Sequence, residues 1–378
     1  MIKITDKKNC CGCTACSMIC PRNCIKMDQD EEGFLYPAVN VEKCIQCGLC
    51  ESVCPILKTV KKEKRVCTAY GAYALDEKIR MSSSSGGIFV CIGQKVIGNQ
   101  GVVFGASFSE TFEVQHIEAQ EREQLKKLQG SKYSQSELGN TFQKVKKYLE
   151  DGREVLFSGT PCQVAGLKKY LGKEYENLIL LDILCHGVPS PKVWKEYLHT
   201  LEKAYHSSIQ DVKFRDKTNG WYNYSMKIDF LEDNYNKDHS SDLFMRLFLS
   251  DFILRPSCYE CRYKEIPRCS DITLGDFWGV DKVDPELYDD KGTSIILTHT
   301  EKGEQFIEKI AQDSIIRKVK LNVALPENSD SRKSVREPLK RKKVFSYINR
   351  NGINGVEKFL TLSYKTRIIN KIKMIIKR

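Results

Sequence analysis

No run of about eighteen apolar residues occurs anywhere in this 378-residue chain, so no segment is expected to cross a bilayer as a helix. The opening residues, MIKITDKKNC, hold no apolar h-region, so secretion is not expected and a cytoplasmic setting is. The body also lacks a charge excess. From Arg332 onward there are 15 Lys and Arg against two acidic residues, Glu337 and Glu357, a net +13 that more than accounts for the formal +11 of the whole chain. The remaining residues sum to −2, and no recognition motif accompanies the basic tail, which speaks against a zinc-bearing nucleic-acid binder. Hydrophobic content of 41% and charged content of 29% are those of an ordinary folded protein. What the chain does have is 17 cysteines. In a reducing compartment these are poor disulfide formers, which leaves metal or redox chemistry.

Their spacing is specific. Cys10, Cys13, Cys16 and Cys20 form C-x2-C-x2-C-x3-C followed by Pro21, and Cys44, Cys47, Cys50 and Cys54 repeat it 34 positions later, followed by Pro55. This is the pattern of two-cluster bacterial ferredoxins: three thiolates curl around one face of a 4Fe-4S cube, and the fourth reaches the other cluster. One cluster takes Cys10, Cys13, Cys16 and Cys54; the other takes Cys44, Cys47, Cys50 and Cys20. Zinc needs neither three cysteines at successive two-residue gaps nor a trailing Cys-Pro twice. Cys11 and Cys24 fall outside the pattern and read as small buried hydrophobes beside the clusters. DEEGFLYPAV, between the motifs, reads as a hairpin.

After a charged linker the composition changes to alternating strand and helix patterns. Residues 101–108, 154–159 and 177–185 read as buried strands, 140–152, 163–171 and 190–205 as helices, and DVKFRDK and YSMKIDF as further strands. Ser190 followed by Pro191 is a strong helix start. The fold class expected is α+β with α/β character over several domains: a two-cluster ferredoxin domain (1–58), a linker (59–66), a mixed-sheet α/β domain (67–330) and a basic amphipathic tail (331–378). SSSSGGIF (82–89) can bring backbone N–H groups to an anion at a helix start. Cys162 sits in the first turn of a helix, where a thiolate is favoured. Cys162 and Cys185 lie at the carboxyl ends of adjacent strands, where open α/β sheets bind ligands. With Cys258, Cys261 and Cys269 they suggest a third cluster; spacing alone favours Cys269 over Cys162 as the fourth ligand.

SSSSGGIF, GSKYSQS, FSGTPCQVAGL, LCHG, FRDK and CYECRY…SDITLGDFWG occur in an order that resembles the beta-subunit family of coenzyme F420 hydrogenases and dehydrogenases, in the version with an N-terminal two-cluster ferredoxin domain. The resemblance implies an iron–sulfur flavoprotein oxidoreductase that passes electrons between 4Fe-4S clusters and, through FAD, a two-electron substrate, coenzyme F420 or another hydride donor or acceptor. It implies FAD at Ser85, Gly86 and Gly87, at Ser131, Lys132 and Tyr133, and around Thr160 and Pro161. It implies a third 4Fe-4S cluster on Cys162, Cys185, Cys258 and Cys261, and a cavity lined by His186, Lys217 and the GDFWG turn with Asp276; Trp278 reads as packing. Lys132, Arg215 and Lys217 are the cations available to an anionic substrate. The alternative reading is a non-catalytic electron-transfer subunit that feeds a partner oxidoreductase. The partners expected are an electron-carrier protein or a small redox substrate, and not nucleic acid; pairing with a second copy of the chain is left open. Phe359, Leu362, Ile369, Ile372 and Ile376 share a helical face in the tail, suited to an anionic membrane surface, a partner or the chain's own body.

Overall fold

A computed structural model describes residues 1–58, 67–327, 329 and 331–360. The linker at 59–66 and the tail face formed by Leu362, Ile369, Ile372 and Ile376 lie outside the described residues.

The N-terminal unit is built from two equivalent loops. Each ends in a four-residue helix, Ala15–Met18 in the first and Leu49–Ser52 in the second, again 34 positions apart. The backbone repeats with them: Gly12 and Thr14 take positive φ in the first loop, as do Gln46 and Gly48 in the second. Positive φ is uncommon for residues other than glycine and costly for a β-branched one, so Thr14 marks a conformation imposed by the loop's task. Between the loops, β1 (Ile25–Gln29) and β2 (Leu35–Val39) pair antiparallel, with Ile25 opposite Val39. The expected hairpin is present, and its first strand begins earlier than DEEGFLYPAV suggests.

The main sheet has eight strands. They are β3 (Thr68–Ala74), β4 (Val102–Phe108), β5 (Val114–Ala119), β6 (Val155–Gly159), β7 (Leu178–Ile183), β11 (Ile272–Asp276), β12 (Ser294–Thr298) and β13 (Ser314–Val319), in the order β13-β3-β12-β11-β7-β6-β4-β5. β4, β6, β7 and β11 run parallel, and antiparallel strands flank them on both sides. Interior parallel strands are covered on both faces, which is why VLF and LILLD are continuous apolar runs with hardly any alternation. Helix Thr141–Glu150 buries Phe142, Val145 and Leu149 on one stripe. Helix Pro161–Leu171 starts with a reciprocal cap between Thr160 and Gln163 and with Pro161 in its first turn. The sheet is thus mixed, as the sequence pattern implies.

A smaller antiparallel sheet, β8 (Ile209–Asp216), β9 (Ser225–Phe230) and β10 (Asn234–Asp238), packs with helices Pro191–Tyr205, Leu243–Leu249 and Arg341–Asn351 around Trp194, Phe214 and Phe244. Phe34 of the N-terminal hairpin is wholly buried in this same core, as are Val344, Phe345 and Ile348 of the tail's first helix. The described start of the tail is therefore packed against the body, and Phe359 lies against Tyr347 with ring centroids 5.6 Å apart.

Candidate functional site

Cys20, Cys44, Cys47 and Cys50 line one small cavity of about 20 Å³, beneath the second loop. The Ile2 amide donates to Cys50 Sγ at 3.3 Å. Cys24 is buried with its sulfur 3.3 Å from that of Cys20. On the other side, the Cys16 thiol is pushed up to about 12, by burial first and then by the negative charge of Cys10, Cys54 and Cys50. Cys13 lies in the apolar layer over helix Pro161–Leu171 with Cys54. Gly166 of that helix leaves room for Cys13; a Cβ there would come within 2.9 Å of its sulfur. Cys20 thus stands with the first three cysteines of the second motif, and Cys54 packs near cysteines of both motifs. Among the described residues no three of His, Cys, Asp or Glu are drawn close enough to hold a single ion between them.

A second gathering of thiols lies where the ferredoxin loops meet the sheet. Cys185 follows β7, Cys162 starts the helix after β6, and Cys258 sits in the turn Pro256–Glu260 with Cys261 just beyond it. The Cys185 thiol is pushed well above its ordinary range, first by burial and then by Cys258, Cys162 and Cys261. Cys258 is pushed up to about 12 by burial, with Cys162 and Cys261 adding to it, and its sulfur accepts the Val188 amide at 3.4 Å. Cys162 is raised first by its hydrogen bond with Cys11, and then by burial. Cys11, outside the motif in sequence, thus sits between Cys13 of the ferredoxin loop and Cys162 of the body. Cys269 packs in the same apolar layer as Cys162 and Cys13, near Tyr263.

Beside this group opens a cavity of about 440 Å³. Ser85 and Gly87, Ser131, Lys132 and Tyr133, Thr160, His186, Arg215, Asp276 and Trp278 all line it, and Cys162 and Cys185 form part of its wall. Six chain segments between Ser85 and Trp278 converge here, and those at Thr160, Cys185 and Asp276 do so because the parallel strands β6, β7 and β11 present their carboxyl ends to the cavity. Helix Ile88–Gly98 begins at the cavity from Gly87, which takes φ +84 and supplies no side-chain cap. Its first amides are therefore available to an anion. The Ser131 amide donates to Ser84 Oγ at 2.7 Å, tying two of the lining loops together. Lys132 Nζ donates to the Gln129 and Gly130 carbonyls at 2.9 and 3.2 Å; burial holds it down to about 7. Arg215 pairs with Asp276 and lies over Tyr224 and Trp278, 4.4 and 5.2 Å from the ring centroids. Its Nε and Nη2 are buried without a partner among the described residues, as are Ser134 Oγ and His116 Nδ1 on the same cavity. Burial holds His116 down to about 4, so it is neutral near pH 7. Such unpartnered polar atoms fit a ligand with hydrogen-bonding edges.

Three sequence-derived residues are placed elsewhere. Lys217 does not line the cavity: its Nζ clasps the carbonyls of Arg80, Ser85 and Lys291 at 2.7, 2.9 and 2.6 Å, so it braces the serine loop from behind. Gly86 lies under the loop, where a Cβ would come within 2.4 Å of the Ala72 carbonyl; its role is close packing on the sheet. Pro161 is buried in the first turn of its helix and shapes that turn. Trp278 stacks on Trp221 at 4.6 Å and is 46% exposed at the cavity edge, so it both packs and lines. The sequence reading did not single out Asp251, which bonds His186 Nε2 at 2.7 Å, nor Gln135 and Arg255. Gln135 lies within GSKYSQS without standing out there, and Asp251 and Arg255 carry no local motif; the positive φ of Asp251 is invisible in sequence.

Residues 152–323 match the family model for the C terminus of the coenzyme F420 hydrogenase/dehydrogenase beta subunit, and residues 9–56 match a 4Fe-4S dicluster domain. A coenzyme F420-dependent sulfite reductase of Methanocaldococcus jannaschii is 26% identical over 220 residues, 56% of this chain, and the match spans 33% of that protein's length. An uncharacterized ferredoxin of the same organism is 36% identical over 66 residues, 16% of this chain and 84% of the ferredoxin. Among solved structures, one from the F420-reducing NiFe hydrogenase complex of Methanosarcina barkeri covers 81% of this chain and 96% of its own, at 16% identity and a TM-score of 0.47. Residues 152–323 thus belong to the C-terminal family of coenzyme F420 hydrogenase/dehydrogenase beta subunits and residues 9–56 form a 4Fe-4S dicluster domain, which makes the chain an iron–sulfur redox protein.

Proposed function

We propose that the chain is a flavin-dependent oxidoreductase, with FAD in the large cavity and a third 4Fe-4S cluster on Cys162, Cys185, Cys258 and Cys261. The observation that carries this reading is convergence: the serine–glycine loop, the Ser131–Tyr133 loop and the Thr160 turn line one cavity, and two of the four cysteines form its wall. Bound there, FAD would interconvert single electrons and hydride, while the clusters would carry electrons one at a time. The chain's own residues divide the remaining work. The amides at the start of helix Ile88–Gly98, with Lys132 when protonated, suit the phosphates. Arg215 offers two free donors to a planar polar edge. His186, whose Nε2 is fixed by Asp251, presents its imidazole at the cavity wall.

Coenzyme F420 is the first substrate to try, because the family and the curated sulfite reductase relative both carry its name. Cys47 is exposed among Val41, Ile45 and Leu49, which are 63%, 60% and 41% exposed, so an electron-carrier partner would dock there. The domain division read from the sequence belongs to the same proposal, with residues 331–360 assigned to the body's outer face and not to a free tail. Iron, acid-labile sulfide and flavin per chain, measured after anaerobic purification, test the scheme. About twelve irons and one FAD support it. About eight irons with no flavin favour the carrier-subunit reading, which the chain's match to only a third of the sulfite reductase keeps in play.

A further inference from the structure

Five arginines of the described chain are buried: Arg80, Arg215, Arg255, Arg268 and Arg341. Four have a carboxylate partner, Asp289, Asp276, Asp182 and Glu32 respectively. Arg255, 0% exposed, pairs with no acid among the described residues. Its Nε donates to the Cys10 carbonyl at 2.8 Å and Nη1 to Gln135 Oε1 at 2.8 Å; Nη2 reaches the Leu35 carbonyl at 2.9 Å and Cys10 Sγ at 3.5 Å. Tyr36 and Phe34 lie against its guanidinium, with ring centroids 4.3 and 5.4 Å away. The groups that act on its charge are Cys10, Tyr36, Cys11 and Cys258. A buried guanidinium left without an anion is strongly disfavoured, and neutral carbonyls only partly replace one. Among the described residues the groups that can become anions beside it are chiefly thiols, and thiolates are what cluster ligation creates.

We infer that Arg255 is the resident counter-ion of the cluster held by Cys10, Cys13, Cys16 and Cys54, a positioning residue that holds that cluster's reduction potential up and keys the ferredoxin domain to the Cys258 turn. The inference rests on the ligand assignment above for the first cluster, and on neither the flavin nor the third cluster. The loop is shaped around this cation: Gly12, between Cys11 and Cys13, takes φ +71, and a Cβ there would stand 2.8 Å from Arg255 Nη1 and 2.4 Å from Gln135 Nε2. One-electron reduction adds a negative charge beside Arg255 and takes up no proton there, because the guanidinium stays charged. A fixed neighbouring cation favours the reduced form, and net charge with hydrogen bonds to sulfur is among the factors that set cluster potentials.

The test is a dithionite potentiometric titration of the anaerobically purified full chain, followed by electron paramagnetic resonance, for the wild type, Arg255→Met and Arg255→Lys. At the wild-type midpoint, one cluster of Arg255→Met should show its reduced-to-oxidised ratio lowered at least tenfold, about 59 mV for a one-electron couple. The other clusters should move less than threefold, and Arg255→Lys should recover most of the shift. Full iron loading of Arg255→Met with every midpoint within threefold of wild type overturns the inference, as does a shift in Arg255→Lys equal to that in Arg255→Met. If Arg255→Met does not load iron, Arg255→Lys decides: loading near the wild-type potential supports a requirement for charge, and an equally empty Arg255→Lys shows a shape-specific brace and overturns it. Cys10→Ser separates the premise from the inference: if it leaves iron content unchanged, the ligand assignment itself is wrong.

Discussion

The joint between the N-terminal hairpin and the tail can be tested on its own. Arg341 and Glu32 are both buried and meet in a two-pronged ion pair, Nη1 to Oε1 at 2.7 Å and Nη2 to Oε2 at 2.5 Å. The same guanidinium donates from Nε and Nη2 to the Leu254 carbonyl at 3.2 and 2.7 Å, and from Nε to Tyr259 Oη at 3.0 Å. One side chain therefore ties the helix Arg341–Asn351, the ferredoxin hairpin and the turn carrying Cys258. Replacing Arg341 by Met keeps much of the bulk and strands the Glu32 carboxylate. Removing one partner of a buried pair costs about 3–5 kcal/mol. Since one power of ten is about 1.4 kcal/mol, amide exchange across residues 341–351 should accelerate by roughly 10²- to 10⁴-fold. Hydrogen–deuterium exchange read by mass spectrometry gives the number without assuming two-state unfolding of a multidomain protein. The double variant Glu32→Leu with Arg341→Met should restore most of the protection, because apolar replacement of a whole buried pair is often neutral or better. Unchanged exchange in Arg341→Met, or a double variant as fast as the single, would refute this account of the joint.

Further outcomes follow from the cysteine loops and the cavity. Gly12→Ala should lose about four irons, since it meets both positive φ and two close side-chain atoms; Gly48→Ala, at φ +76 in open space, should cost only about 1 kcal/mol and keep its iron. Cys185→Ser should remove about four irons and Cys269→Ser none, read by iron analysis against the wild type. Lys132, held near 7 by burial, is charged below that value, so FAD should bind more tightly at pH 6 than at pH 8, and Lys132→Met should flatten the dependence measured by fluorescence titration. The sign for stability is the opposite: the unfolded chain holds this proton up to the ordinary lysine range, so between about pH 7 and 10.5 Lys132 makes the apo protein more stable as pH rises.

The ferredoxin half was legible because its chemistry is local. Two-residue gaps set where three thiols can point, and the 34-residue repeat reappears in the backbone down to the paired positive φ values at Gly12 and Gln46 and at Thr14 and Gly48. Strands such as VLF and LILLD, and the Ser190–Pro191 helix start, were equally plain, since burial and capping leave marks within a few residues. The flanking antiparallel strands β3, β12 and β13 were not legible: they come from chain segments more than two hundred residues apart and join only through the sheet. The cavity was legible as separate motifs but not as a surface. Lys217 shows why: two residues after Arg215, it points its ammonium at carbonyls behind the serine loop, and no pattern in FRDK distinguishes the two fates.

Arg255 is the sharper case, because its meaning depends on something the sequence places nowhere near it. It stands 245 positions after Cys10, next to a proline, in a stretch with no charge pattern. An arginine there would ordinarily be read as surface. Only the folded chain shows it wholly buried, and only a comparison with the four other buried arginines shows that it lacks an acid. A stability argument alone would replace it with an apolar side chain, as holds for many buried charges. Its place beside Cys10, with Gly12 yielding the space, follows if cluster thiolates supply the balancing charge. Domain docking and cluster charge are then one interaction, so a chain that fails to load its first cluster should also hold its ferredoxin loops less firmly against the Cys258 turn.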